Sequence, residues 1–387
     1  MSSDGYLTQE RLMIQGAARQ FAMERVLPLA NALDPEKGVM PRELIDEMAA
    51  MGWFGMFLPE QYGGMGLGCI EYCLIAEELS RAWMSVASLL ARGNVLHPEI
   101  LTDEQRQRWL PRVLSGEFLG AAALSEPGAG SDLANLSCRA TRVSDDEWEL
   151  TGNKYWVTFA DGADFIIVFA RTSPPSSPEA RHRGISAFVV EKARGRLPDN
   201  CQGAPIPKIG YHGWKTWELA FDGCRVPHAN LLGEEGKGFY FATHGLETAR
   251  AHTAARSIGL ARGSLEDAIE YAKQRVQFGK PISDFQFTRF RLADMATQIE
   301  AARQLMYHVC TQIDSGKRCD KEASMVKLFA SEMSERVTSD ALQIHGGAGY
   351  TTHCAVERYW RDARLTKIFE GTSEIQMRII SDHLLKG

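Results

Sequence analysis

The chain has 387 residues, 44% of them hydrophobic and 24% charged, with a net charge of −6. That length allows two or three domains with a large core, and the acidic balance without a basic tract argues against a nucleic-acid partner. No apolar run reaches the ~18 residues of a membrane-spanning helix, and MSSDGYLTQERL lacks a charged-then-apolar leader. A cytoplasmic location is expected, or the mitochondrial matrix if a transit peptide has been removed.

From Thr8 to about Phe118 the pattern is helical. TQERLMIQGAARQFAMERVLP sets Leu12, Met13, Ala17 and Phe21 among charged residues at helical spacing, and Pro28 is read as its end. PRELIDEMAAMG, IEYCLIAEELSRA and TDEQRQRWLPRVLSG continue the pattern, with the Gly-rich loop FLPEQYGGMGLG between the first two. From about Leu119 to Lys237, DEWELTGNKYWVTF, DFIIVFART, GISAFVVEK and WELAFDGCRVP are β-branched and aromatic runs bounded by Gly, Pro, Asn and Asp, which predicts strands. Helical periodicity then returns in RSIGLARGSLEDAIEYAKQRV, FTRFRLADMATQIEAARQLMYHVCTQID and CDKEASMVKLFASEMSERVTSDALQIHGG. Helical, then β, then helical segments argue for separate layers or domains rather than a doubly wound sheet. The eight cysteines are scattered, without CxxC or zinc spacing, so reduced thiols and no metal site are expected.

Two further stretches invite chemistry. SEPGAGSDL has Gly128 and Gly130 as GxG but no third Gly and no strand-to-helix setting, so a dinucleotide fingerprint is rejected. Such a loop still brings backbone N–H groups near a ligand, or is a plain turn. KIFEGTSEIQ places Glu370 after Ile368 and Phe369 and before a Gly-Thr-Ser turn. Held against apolar neighbours, that carboxylate has a raised pKa and accepts a proton near neutral pH. Alternatively it is a helix-terminal Glu facing water.

LSEPGAGSD, YWVT, QRVQFGKPISDFQ, QIHGGAGY and FEGTSEIQ occur in this order. Together they resemble the acyl-CoA dehydrogenase family, flavoproteins that desaturate acyl-CoA thioesters, and the resemblance runs from about Leu7 to the last residues. It implies an α+β multidomain fold: an N-terminal α-helical domain (1–118), a middle β-barrel or sandwich domain (119–237) and a C-terminal four-helix bundle (238–387). It also implies FAD bound across subunits of a homotetramer, and an electron-transfer flavoprotein as acceptor.

The same resemblance assigns roles. Glu370 becomes the base that removes the α-proton while the β-hydrogen leaves as hydride to flavin N5, and its own backbone N–H and a ribityl hydroxyl of FAD stabilise the enolate oxygen. Some relatives carry the base at a position matching Ala249, which cannot accept a proton. Gly371 contacts substrate; Ser131 lies near both acyl-CoA and cofactor. Glu247 and Arg250 match positions beside CoA, with an i, i+3 surface ion pair as the other reading. Leu124, Ser125 and Gly130 are assigned to the flavin, as are Trp156, Val157 and Thr158 on a strand covering its ring. Arg275, Phe278, Ile282, Phe285 and Gln286 reach FAD from a second subunit, with Gln343, Gly346 and Gly347 near its adenosine part and Thr372 and Glu374 completing the set. Phe369, Ala122 and the pair Trp214 and Trp217 depart from the family pattern, leaving the acyl group open. Arg92, in MSVASLLARGNVLHP, is read as a surface residue, or else as the partner of a second carboxylate on a dicarboxylic acyl group. An oxygen-using oxidase and a non-catalytic protein retaining the fold are the competing readings.

Overall fold

The computed structural model describes residues 5–386 apart from 176, 178, 179 and 244. Six helices come first: α1 (Gln9–Phe21), α2 (Leu27–Leu33), α3 (Arg42–Ala50), α4 (Cys69–Ala82), α5 (Met84–Gly93) and α6 (Asp103–Leu114). Thr8 caps α1 by accepting from the Arg11 N–H at 3.3 Å. Pro28 does not end that helix. A π-helical turn, Ala22–Val26, widens the coil so that the Leu27 N–H bonds to the Ala22 carbonyl, and Pro28 then falls in the first turn of α2, where its missing N–H costs little.

A sheet of eight strands follows: β1 (Gly120–Ala123), β2 (Arg139–Arg142), β3 (Glu147–Thr158), β4 (Phe165–Arg171), β5 (Ile185–Glu191), β6 (Cys201–Pro205), β7 (Thr216–Pro227) and β8 (Leu231–Leu232). Their order is β6-β7-β3-β2-β4-β5-β8, with β1 parallel to β4. The continuous apolar runs FIIVFAR and ISAFVVE are buried on both faces, whereas β7 alternates. The short strands β1, β2, β6 and β8 lack a strong apolar signal and were not expected.

The last segment holds α7 (Gly238–Thr243), α8 (Leu246–Gln274), the hairpin β9 (Val276–Gln277) and β10 (Lys280–Pro281), then α9 (Gln286–Asp314), α10 (Asp320–His345), α11 (Val356–Thr366) and α12 (Ser373–Lys386). Thirteen of the fourteen α4 residues are buried, so that helix is a core element joining the first segment to the last. It comes close to α8: a Cβ on Gly259 would lie 2.3 Å from the Glu77 carbonyl oxygen. Glu77, fully buried, is paired with Arg303 of α9 at 3.0 Å and with Arg262 of α8 at 3.5 Å. Cys69, Cys73 and Cys310 also converge here, their sulfurs within 4.8 Å of one another, a grouping that sequence spacing hid. Burial raises the Cys73 and Cys310 thiols, leaving them protonated core groups. Among the described residues no helix is long and apolar enough to cross a membrane.

Candidate active site

Glu370 sits on the turn between α11 and α12 with φ of 54°, a left-handed conformation that Gly371 continues at 88°. Its Oε1 accepts from Arg256 Nη2 at 2.7 Å, and its Oε2 meets the Thr253 hydroxyl. Both partners are on α8, one turn apart. Arg256 is 1% exposed; its Nη1 donates to Ser88 Oγ of α5 at 2.8 Å and its Cζ lies 4.6 Å from the Phe369 ring centre. Lys327 Nζ donates to the Gly371 carbonyl at 2.7 Å, pinning the turn to α10. Among the described residues the Glu370 backbone N–H donates to no other group. Burial pushes His252 down to about 3, so the imidazole beside this cluster is neutral.

Three expectations need correction. Burial pushes the Glu370 carboxyl up, but Arg256, His252 and the Thr253 hydroxyl outweigh it and hold the pKa below the usual range, not above it. The side chain is 34% exposed. Arg250 pairs with Asp320 at 3.6 Å and not with Glu247, whose Oε1 instead accepts from the Cys319 N–H at 2.8 Å. Arg92 is half-buried and not a plain surface residue: its Nε is out of solvent and its Cζ lies 5.2 Å from the Trp214 ring centre. The sequence reading missed Arg256 and Thr253 altogether. Their i, i+3 spacing on a buried helix was the available signal.

Other predicted residues fall into groups. Leu124 and Ser125 follow β1, and the loop after them is anchored by Glu126, which pairs with Lys154 at 2.8 Å and accepts from the Ser137 and Cys138 N–H groups. Between Lys154 and Val157 the β3–β7 register slips by one residue, a bulge that leaves Trp156 at φ 62° and 57% exposed while Val157 is buried. Thr158 Oγ1 lies 3.0 Å from Thr216 Oγ1. Ser131, Glu247 and Arg250 line one cleft of about 1020 Å³, joined by Arg181, Arg318 and Arg378. Phe278, Ile282, Phe285 and Gln343 line a second, of about 360 Å³, although 65 residues separate the first from the last. Arg275 precedes that groove, Gln286 opens α9, and Gly346 and Gly347 begin the turn after α10. Thr372 caps α12 and Glu374 is exposed in its first turn.

Family models for the N-terminal, middle and C-terminal domains of acyl-CoA dehydrogenases match residues 8–117, 121–224 and 236–385. The chain belongs to the acyl-CoA dehydrogenase family. It is therefore an FAD-dependent oxidoreductase acting on acyl-CoA. It is 42% identical to the acyl-CoA dehydrogenase of Bacillus subtilis (strain 168), over 99% of this chain and 100% of that one. Identity is 39% to the Caffeyl-CoA reductase-Etf complex subunit CarC of Acetobacterium woodii, over 98% and 100%. The structure of butyryl-CoA dehydrogenase from Megasphaera elsdenii superposes with a TM-score of 0.91 at 37% identity, covering both chains fully.

The residues present fit the cofactor of such a dehydrogenase. An indole more than half exposed and thrown off the sheet by a bulge offers a flat ring a surface to cover. Gly128, Gly130, Gly346 and Gly347 all have open space where a Cβ would stand, so backbone and ligand can approach closely.

Proposed function

We propose that the chain removes the α and β hydrogens of an acyl-CoA thioester to give the trans-2-enoyl-CoA, with Glu370 as the α-proton base and an electron-transfer flavoprotein as electron acceptor. The observation that carries this reading is the Glu370 carboxylate, fixed by Arg256 and Thr253 on a strained turn whose own backbone N–H has no partner among the described residues. Its depressed pKa keeps it ionised at neutral pH, as a base must be. The N–H, on the same residue, stands ready to donate to the thioester oxygen as negative charge develops there. The cleft with Arg181, Arg250, Arg318 and Arg378 suits the phosphates of CoA, which guanidinium groups bind in a fork. A filled pocket would also exclude water from Glu370 and strengthen each of these interactions.

FAD, when bound, supplies the acceptor for the two electrons that leave with the β-hydrogen. Leu124, Ser125, Gly130, Trp156, Val157 and Thr158 would hold its ring, and Thr372 and Glu374 would meet it near the catalytic turn. Arg275, Phe278, Ile282, Phe285 and Gln286, with Gln343, Gly346 and Gly347, would serve the FAD of a neighbouring subunit in a homotetramer. Exposed Phe278 (94%) and Phe287 (71%) support that arrangement, since large rings left in water beside one groove call for a cover. The relative from Acetobacterium woodii, named as part of an Etf complex, supports the proposed acceptor. We take the domain divisions to fall near residues 118 and 237.

Anaerobic bleaching of the flavin across a panel of saturated acyl-CoA thioesters tests the reaction; a flavin that stays oxidised with all of them overturns it. Arg275→Ala is expected to lower FAD content and tetramer content together, read as absorbance and sedimentation on one sample. A fully flavinated tetramer would count against Arg275.

A further inference from the structure

Among the described residues Arg92 is a cation that the fold leaves without a paired carboxylate. It lies one turn after Ser88 on α5, so the two share a helix face, and Ser88 Oγ is the acceptor for Arg256 Nη1. Trp214, under the Arg92 guanidinium, meets Tyr211 edge-on at 5.3 Å, and Tyr211 meets Phe369 at 6.0 Å. This run of rings therefore leads from Arg92 to the residue beside Glu370. Arg92 Nε has no hydrogen-bond partner, and among the described residues the guanidinium makes no ion pair. The carboxylate that acts on Arg92 is Glu370, which is already bonded to Arg256. Glu370 is thus taken up by Arg256, and no described carboxylate pairs with Arg92. An apolar acyl chain packed there would leave that cation without a counter-ion, which is costly.

We propose that Arg92 binds a second carboxylate on the acyl group, so that the substrates are CoA thioesters of dicarboxylic acids. The free carboxylate sits on Arg92 and the thioester end lies at Glu370. Trp214 holds one face of the guanidinium plane, leaving its N–H edges to receive two carboxylate oxygens. Arg92 is a specificity-determining residue and touches none of the reacting carbons. The proposal rests on the dehydrogenase reading above.

The test compares succinyl-CoA with butyryl-CoA and glutaryl-CoA with pentanoyl-CoA, each pair sharing a chain length and differing by the terminal carboxylate. Flavin reduction gives kcat/KM, and titration of the oxidised holoenzyme with the slower-reacting thioesters gives Kd. The wild-type enzyme is expected to prefer a diacid thioester, and Arg92→Met to lose about 100-fold on it while its monoacid counterpart is unaffected or improved. Arg92→Lys, which keeps the charge without the fork, should fall between them and serves where the Met variant fails to fold. A wild-type preference for the monoacid, or an equal loss on both members of a pair, overturns the proposal. Should no thioester reduce the flavin, the dehydrogenase reading fails, and binding of the same pairs to wild type and Arg92→Met still decides the role of Arg92.

Discussion

Glu370→Gln is expected to slow flavin reduction by acyl-CoA about 10⁴-fold, the upper range for loss of a general base, while FAD content and affinity for enoyl-CoA stay unchanged. Gln matches Glu in size, and its carbonyl oxygen can still accept from Arg256, so the turn has no reason to move. What it loses is the capacity to take a proton. A variant that reduces its flavin near the parent rate would show that another residue is the base. The pH profile adds an independent check. Burial alone would raise the Glu370 pKa, but the Arg256 ion pair and the Thr253 hydroxyl pull it below the usual carboxylate range. The base is ionised above that pKa, so kcat/KM of the free enzyme should stay flat as pH falls from neutral and drop only below the usual range. Arg256→Gln removes the ion pair and should move the acid limb upward. A limb that stays in place would mean that Arg256 does not set the proton affinity of the base.

The sequence made the texture of the fold legible and much of the site's chemistry illegible, for separable reasons. FIIVFAR and ISAFVVE read as strands because a run buried on both faces needs continuous apolar residues. Pro28 misled because the rule that proline ends a helix assumes i, i+4 bonding, and the π-turn over Ala22–Val26 removes that assumption. Glu370 was legible as a candidate, but not its proton affinity. Arg256 lies 114 residues earlier in the Ala-rich helix stretch AHTAARSIG, which carries no sign of what it will face. The exposure of Trp156 was equally hidden, since it follows from one unmatched residue in the β3–β7 register, set by both strands together. Arg92 reads as a surface residue because lone arginines are seldom buried. Only the position of Trp214, brought in from the middle segment, shows otherwise.

Lys154→Met is expected to destabilise the protein by about 3 kcal/mol, toward the lower end for breaking a buried ion pair, and to weaken FAD retention with it. Lys154 is 0% and Glu126 4% exposed, with Nζ and Oε1 2.8 Å apart, and Nζ also donates to the Leu124 carbonyl at 3.2 Å. Glu126 keeps its bonds from Ser137 Oγ and from the N–H groups of Ser137 and Cys138, which is why the loss falls short of the full penalty. Because Leu124 and Ser125 adjoin this pair, the loop proposed to meet the flavin should loosen first, and FAD should dissociate at lower urea than from wild type. The pH dependence has a definite sign. Burial raises the Glu126 pKa but Lys154 and the backbone N–H groups bring it below its ordinary value. In the parent protein its stabilisation is therefore present above the unfolded carboxylate pKa of about 4.3 and lost as pH falls through the lower folded value. In the variant, burial acts without Lys154, the pKa rises, and protonation relieves the strain. The stability gap between the two proteins should narrow as pH falls through the carboxylate range. Glu126→Gln combined with Lys154→Met should recover most of the loss, since a neutral pair leaves no uncompensated charge. A double variant no better than Lys154→Met, or a gap independent of pH, would place the cost in packing and not in the ion pair.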